Sequence, residues 1–266
     1  MANSRSGESV VERVIKLLSA FERTKPRLTM SALARETGLP ASTAHRLAAE
    51  LCDVGFLDRD DDGRVGIGPR MWELAARSNP LEEFRQRGRP VLEGIQEAVR
   101  QDVSLSVPSF EDYTVLYVER LDKHGTVNNL AQVAGRLNMH STSAGLVMLA
   151  NAPHHVQETF LAGVIPQCTP RTITDPARLR ARFAEIRERG FARHAGDLVE
   201  ENVGYSVAVK GAENQIMGAV TVVAAQGEDN HQLIVPVLAA AGRSLSRLMG
   251  ADHRPYSGRR WSTLRV

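Results

Sequence analysis

Residues 28–47, Leu28-Thr29-Met30-Ser31-Ala32-Leu33-Ala34-Arg35-Glu36-Thr37-Gly38-Leu39-Pro40-Ala41-Ser42-Thr43-Ala44-His45-Arg46-Leu47, hold two helical patterns with almost nothing between them. Met30 to Thr37 is ended by Gly38, a residue that accepts the left-handed backbone at a helix end, and Pro40 suits the first turn of the helix that follows, to Val54. Two helices joined through Gly38 and Leu39 form a helix-turn-helix. Upstream, Ser9 and Glu12 make a capping box, and Val11, Val14, Ile15, Leu18 and Phe21 recur at helical spacing until Pro26. Downstream, Phe56–Arg59 and Arg64–Ile67 flank Asp60-Asp61-Asp62-Gly63, a hairpin signal. Three helices and a hairpin predict a winged helix-turn-helix over residues 1–70. Residues 71–80 then supply a linker helix, Met71 to Ala76, and a boundary at Ser78-Asn79-Pro80.

The remaining chain predicts a long helix from Leu81 to Arg100 and strands near Val103–Val107, Thr114–Leu121 and Thr126–Gln132. Helices are expected near Ser141–Asn151 and His154–Leu161, and from the Asp175-Pro176 cap to Arg189, with Gly190 ending the last. Strands near Val203–Val209 and Gln215–Ala224 and a helix from Gln232 to Met249 complete residues 81–250. Hairpin-linked strands with intervening helices argue an α+β class with a largely antiparallel sheet. Residues 251–266 form a basic tail.

On the second helix of the pair, Ala44, Leu47, Ala48 and Leu51 share a core-facing stripe, which leaves Ser42, Thr43, His45, Arg46, Ala49 and Glu50 opposite. Hydroxyls, an imidazole and a guanidinium near a helix N-terminus suit base edges and phosphates in a major groove. Taken alone, the same face reads equally well as a solvated side of a small bundle. Arg64 on the hairpin flank, Arg27 and Thr29 before the first helix of the pair, and Arg70 after the hairpin are further candidates for phosphate contact. The hairpin tip, with three aspartates, is not.

The run Leu28–Leu47 closely resembles the helix-turn-helix of the IclR (isocitrate lyase regulator) family of bacterial transcription regulators, and Gly55-Phe56-Leu57 and Gly63–Arg70 resemble its wing and exit. Further similarity lies in Arg89-Pro90-Val91-Leu92, Leu116-Tyr117-Val118-Glu119-Arg120, His140-Ser141-Thr142-Ser143-Ala144-Gly145 and Thr169–Asp175. The resemblance implies a DNA-binding domain joined by a helix to a GAF-like effector-binding domain. It also implies homodimers or dimers of dimers on double-stranded operator DNA, and a small-molecule effector. Asn138 and Leu146 depart from the family pattern. The pocket acid after Gly190-Phe191-Ala192 falls at His194 or, with a short insertion, at Asp197. The pocket Cys or Ser falls at Ser206 or, with a one-residue shift, at Tyr205. Thr221 and Val223 replace a usual serine pair, which makes a less polar cavity.

Physically, Leu130, Leu137 and Met139 are candidate apolar lining, and Ser141, Thr142 and Ser143, at a helix start, can offer hydroxyls and free amides to a carboxylate. The plain alternative is an N-cap and ordinary core. His140, His194, Tyr205, Ser206 and Thr221 are candidates for orienting a polar group. The ligand expected is a medium-sized, aromatic carboxylate or amide.

The 266 residues carry 33 Lys plus Arg against 31 Asp plus Glu, with 42% hydrophobic residues, which excludes disorder and fibrous repeats. The last 24 residues hold six Arg and one Asp, so basicity concentrates in the tail. No apolar stretch approaches a membrane span, and the chain reads as cytoplasmic. Cys52 and Cys168 provide no disulfide framework and read as packed hydrophobes. Adjacent His154 and His155 point about 100° apart on a helix and lack ligand partners, so no metal or cofactor is expected. No nucleophile motif or phosphate-cradling glycine loop is present, and the expectation is a regulator; the alternative is a small-molecule-binding enzyme or a sensor using the winged helix as a protein-interaction module.

Overall fold

The computed structural model describes residues 7–21, 25–122, 129–196 and 198–251. Two compact units divide the chain, Met1–Asn79 and Pro80–Val266. Among the described residues no helix is long and apolar enough to cross a membrane.

In the first unit α1 (Val10–Leu18) starts at Ser9, whose Oγ accepts the Glu12 amide at 3.1 Å while the Glu12 carboxylate accepts the Ser9 amide at 2.6 Å. A two-residue strand β1 (Arg27–Leu28) precedes α2 (Met30–Thr37) and α3 (Ala41–Asp53). Thr29 caps α2 by accepting the Ala32 amide, and Gly38 takes φ 65°. Pro40 stands just outside α3 as its N-cap, not inside the first turn: its ψ of 136° keeps it extended while its carbonyl accepts the Ala44 amide. The wing is β2 (Leu57–Arg59) and β3 (Val65–Ile67), and β1 adds to it in the order β1-β3-β2. Two residues carry no periodicity, which is why β1 is invisible to pattern reading. Leu17, Leu33, Leu47, Ala48, Leu57 and Val65 form the core of this unit. The following helix α4 (Pro69–Arg77) buries none of its residues within the unit.

In the second unit the long helix α5 (Glu82–Val99) leads into β4 (Asp102–Ser109), β5 (Thr114–Leu121) and β6 (Arg136–Asn138). Then come α6 (Ser143–Ala150), α7 (His154–Ala162) and α8 (Pro176–Arg189). Strands β7 (Ala192–Ala195), β8 (Asn202–Lys210) and β9 (Ile216–Ala225) precede α9 (His231–Leu248). The strands make one antiparallel sheet in the order β6-β5-β4-β9-β8-β7. One face carries Leu105, Val207, Val220 and Val222, packed with Leu92 of α5 and Leu238 of α9. The other carries Val115, Tyr117 and Ala219, packed with α6 and with Phe183 of α8. Alternation along each strand thus serves two apolar layers. The α+β class with an N-terminal winged helix-turn-helix and a GAF-like antiparallel sheet is what the structure shows.

Three local expectations change. The strand expected over Thr126–Gln132 is absent from its described part, Asn129–Gln132, and β6 pairs with β5 instead. The cause is Arg120, whose guanidinium donates to the carbonyls of Asn129 and Ala131 at 3.0 and 2.9 Å, turning them from any ladder. Strand β7 adds a sixth strand that the sequence pattern does not announce, since four residues soon after a helix-ending glycine carry little periodicity. Cys168 is exposed and Cys52 only half-buried, so the former is not a packed hydrophobe. The tail beyond residue 251 lies outside the described residues.

A close approach governs α6. A Cβ on Gly145 would stand 2.2 Å from both Cα and O of Met139, against backbone that cannot swing aside. Gly145→Ala is therefore expected to lower stability by about 1–3 kcal/mol or more, read as a lower urea midpoint at unchanged m-value.

Candidate functional site

The first unit presents α3. Ala44, Leu47, Ala48 and Leu51 are buried, which turns Ser42, His45 and Arg46 to solvent and leaves Thr43 half-buried. The Arg46 guanidinium meets Glu50 one turn on at 2.6 Å, an exposed pair that is cheaply exchanged for another acceptor. Arg64 is exposed on the wing flank, and its amide is held by the Asp60 carboxylate at 2.8 Å. Arg27 is engaged differently: it meets Asp58 at 2.9 Å and Asp60 at 3.8 Å, and the Asp58 hydrogen bond raises its pKa. It ties β1 to the wing. Thr29 caps α2, and Arg70 pairs with Glu73 at 2.8 Å. Ser42, His45 and Arg46 thus share one exposed face, while Arg27, Thr29 and Arg70 have structural partners.

The second unit contains a cavity of about 60 Å³ between the start of α6 and the sheet. Leu130 and Leu137 supply apolar wall, and Ser141, Thr142, Ser143, His194 and Thr221 also line it. These residues come from a loop, three strands and a helix start. Thr142 is the N-cap of α6, its Oγ1 accepting the Gly145 amide at 3.0 Å, and the Ser141 hydroxyl donates to the Asn138 carbonyl at 3.2 Å. Ser143 and Ala144 occupy the first helical positions, whose amides have no intrahelical acceptor.

Beneath the cavity runs a chain of hydroxyls. Ser206 Oγ, fully buried, donates to Ser143 Oγ at 2.8 Å and lies 2.7 Å from Thr221 Oγ1. Ser206 has one proton; given to Ser143, it leaves Ser206 to accept from Thr221. Ser143 in turn keeps its own proton for whatever occupies the cavity. Gly204 makes this possible, since a Cβ there would stand 2.6 Å from Ser143 Oγ.

Several candidates lie elsewhere. Tyr205 points to the opposite side of the sheet, because β8 alternates and Ser206 faces α6. Its hydroxyl donates to Asp229 at 2.6 Å and accepts from Arg193 at 2.8 Å. Met139 is fully buried in the α6 core, and His140 Nε2 lies 2.7 Å from the Pro166 carbonyl, neither reaching the cavity. Asp197 lies outside the described residues. Pattern reading missed Tyr117 and Asn129, which also line the cavity, and the buried Asp102 behind them. Asp102 meets Arg120 at 3.4 Å and accepts from Asn129 Nδ2 at 3.1 Å, so the turn bearing Leu130 is anchored to the sheet. Alternation alone would set Tyr117 and Arg120 on opposite faces; the register shift opposite Leu105 and Ser106 turns both to one face, and no periodicity in the sequence signals it.

Residues 81–247 match the model of the bacterial transcriptional regulator IclR C-terminal domain, and residues 10–61 match the IclR helix-turn-helix domain. This chain belongs to the IclR family. It resembles the crystal structure of an IclR homolog from Microbacterium hydrocarbonoxydans complexed with 4-hydroxybenzoate, at 35% identity and TM-score 0.82, covering 90% of this chain and 98% of that one. It is 25% identical to the uncharacterized regulator RhmR of Escherichia coli K12, over 90% of this chain and 92% of the relative. The transcriptional repressor IclR of the same organism is 24% identical over 68% of this chain and 66% of its own length. The protein is therefore an IclR-family transcriptional regulator, with a DNA-binding helix-turn-helix and an effector-binding domain.

His194 is 8% exposed, and burial, helped by the charge of Arg182 and by His140, pushes its pKa down to about 3 from an ordinary 6.5, against a hydrogen bond to the Ser141 backbone. The folded state thus holds neutral imidazole, while the unfolded chain takes up a proton below 6.5. The stabilisation is complete above pH 6.5 and lost as pH falls toward 3, by at most about 1.4 kcal/mol per unit. Thermal midpoints should fall between pH 7.5 and 5.5, and His194→Asn should flatten that slope; equal slopes would remove His194 as the cause.

Proposed function

We propose that this regulator binds operator DNA upstream of a catabolic operon as a repressor and is released by a small aromatic carboxylate. The observation that carries the reading is one chain bearing both an exposed Ser42, His45 and Arg46 face and a cavity whose hydroxyl chain ends in a donor at Ser143. A carboxylate or phenolate oxygen suits that donor and the free amides of α6. Leu130, Leu137 and Tyr117 suit an aromatic ring. The Microbacterium homolog's complex with 4-hydroxybenzoate and the named repressors among the relatives support the same assignment.

In this reading residues 1–70 read DNA in the cytoplasm, residues 71–80 link them to residues 81–250, and a homodimer or dimer of dimers sets recognition helices about 34 Å apart, or a multiple of it, on a pseudo-palindrome. Arg46 and Ser42 read bases, and Arg64 meets phosphate. The effector changes operator affinity by favouring one arrangement of the two copies; a coupling of about 1–3 kcal/mol suffices for a switch.

Mobility shifts with promoter fragments from the protein's own locus test this. Purified protein should retard one fragment and release it on adding 4-hydroxybenzoate, and Arg46→Ala should weaken the shift roughly 5- to 150-fold. No retardation of any fragment, with or without ligand, overturns the reading. Thr221→Val, which removes the first donor of the hydroxyl chain, should raise the Kd for 4-hydroxybenzoate roughly two- to twelvefold by calorimetry, with operator binding unchanged in the absence of ligand.

A further inference from the structure

A second and larger concavity of the effector unit, about 470 Å³, lies away from the hydroxyl chain. It exists because β7 pairs with β8 only as far as Ser206, so the outer edge of Val207–Lys210 has no strand beside it among the described residues. The end of α8 and one stripe of α9 wall the gap. Gly242 lets α9 close on the floor, since a Cβ there would stand 2.7 Å from Val207 Cγ2.

Five cations line this groove, Arg187, Arg189, Lys210, Arg243 and Arg247, and no Asp or Glu does. Arg189 meets Glu185 at 2.8 Å. The Arg187 fork donates to the Ala150 carbonyl at 3.0 Å, which orients its charge without neutralising it. Lys210, Arg243 and Arg247 have no carboxylate within 4.0 Å among the described residues. Elsewhere in the same unit Arg85, Arg89, Arg120 and Arg180 each meet an acid at 3.4 Å or closer. Basic residues at the last turns of α8 and α9 are expected from the helix dipole, which accounts for Arg187, Arg189 and Arg247. It does not account for Lys210 on a strand or Arg243 more than a turn from the end of α9. Like charges gathered without counterions repel one another, so the arrangement is stabilised by an anion.

We propose that this groove binds a phosphorylated small molecule bearing at least two anionic groups, a ligand separate from the occupant of the hydroxyl-lined cavity. The volume lies in the range of small-molecule sites, whereas a duplex lies along a surface and does not enter a recess of this size. Arginine forks take two phosphate oxygens at once, and Lys210 adds a point charge. Phe191, Val235 and Ala239 give the groove an apolar wall for the ligand's organic part.

Titration calorimetry of the full-length protein with pyrophosphate and with ATP tests the assignment. Both should bind with one site per chain, more weakly as salt is raised, and orthophosphate should bind more weakly still. The double variant Arg243→Gln/Arg247→Gln and, separately, Lys210→Gln should each weaken pyrophosphate at least tenfold, while affinity for 4-hydroxybenzoate stays unchanged and the melting temperature of the ligand-free protein does not fall. Failure of the wild-type protein to bind either probe, or equal binding by the variants, overturns the proposal. A loss confined to subunit association in sedimentation would assign the groove to an interface between copies, and a loss confined to promoter affinity would assign it to DNA. Either result also overturns it. The 4-hydroxybenzoate arm keeps these outcomes distinct from failure of the aromatic-effector reading.

Discussion

The effector unit depends on how closely α6 lies on its sheet. Backbone meets backbone where Gly145 passes Met139, and Gly204 leaves room for the Ser143 hydroxyl to come down onto the strand. Small residues at Ala208 and Ala219 continue the flat floor. Only at that separation do Ser143, Ser206 and Thr221 fall within hydrogen-bonding distance, so the polar chain exists because bulk has been withheld from the strands beneath it. Packing and chemistry here are one constraint.

A buried ion pair performs the complementary task at the other end of the cavity. Asp102 and Arg120 stand on neighbouring strands, and both are largely removed from solvent, so the pair is retained for the contacts it organises more than for its own stability. Arg120 gathers the Asn129 and Ala131 carbonyls and Asp102 holds the Asn129 side chain. A loop with little regular structure is thereby given a definite position, and with it Leu130.

Much of the fold was legible because its signals are local. Ser9 with Glu12, Gly38 at positive φ and Asp175 before Pro176 are capping chemistry confined to a few residues, and each marks a real helix end. The winged unit could be read almost completely for that reason. The misreadings share the opposite property. Asn129–Gln132 closes the stretch expected as a strand, and what decides its conformation is a guanidinium on a strand before it. Tyr205 and Ser206 were adjacent alternatives, and only pairing of Ser206 with Thr221 across β8 and β9 decides which faces α6. Met139 and His140 fell in a 3-10 turn, whose geometry sends their side chains to the core and to the Pro166 carbonyl. Long-range register, not residue type, separated cavity residues from their neighbours.

Helix α4 offers one more property. Trp72 is 73% exposed on a helix that buries nothing within its own unit, and the chain has one other tryptophan, Trp261, in the tail. An indole so placed emits at long wavelength in water and shifts to the blue when apolar atoms cover it. With Trp261 replaced by phenylalanine, the chain would carry a built-in optical gauge of any contact made along α4, with no added label.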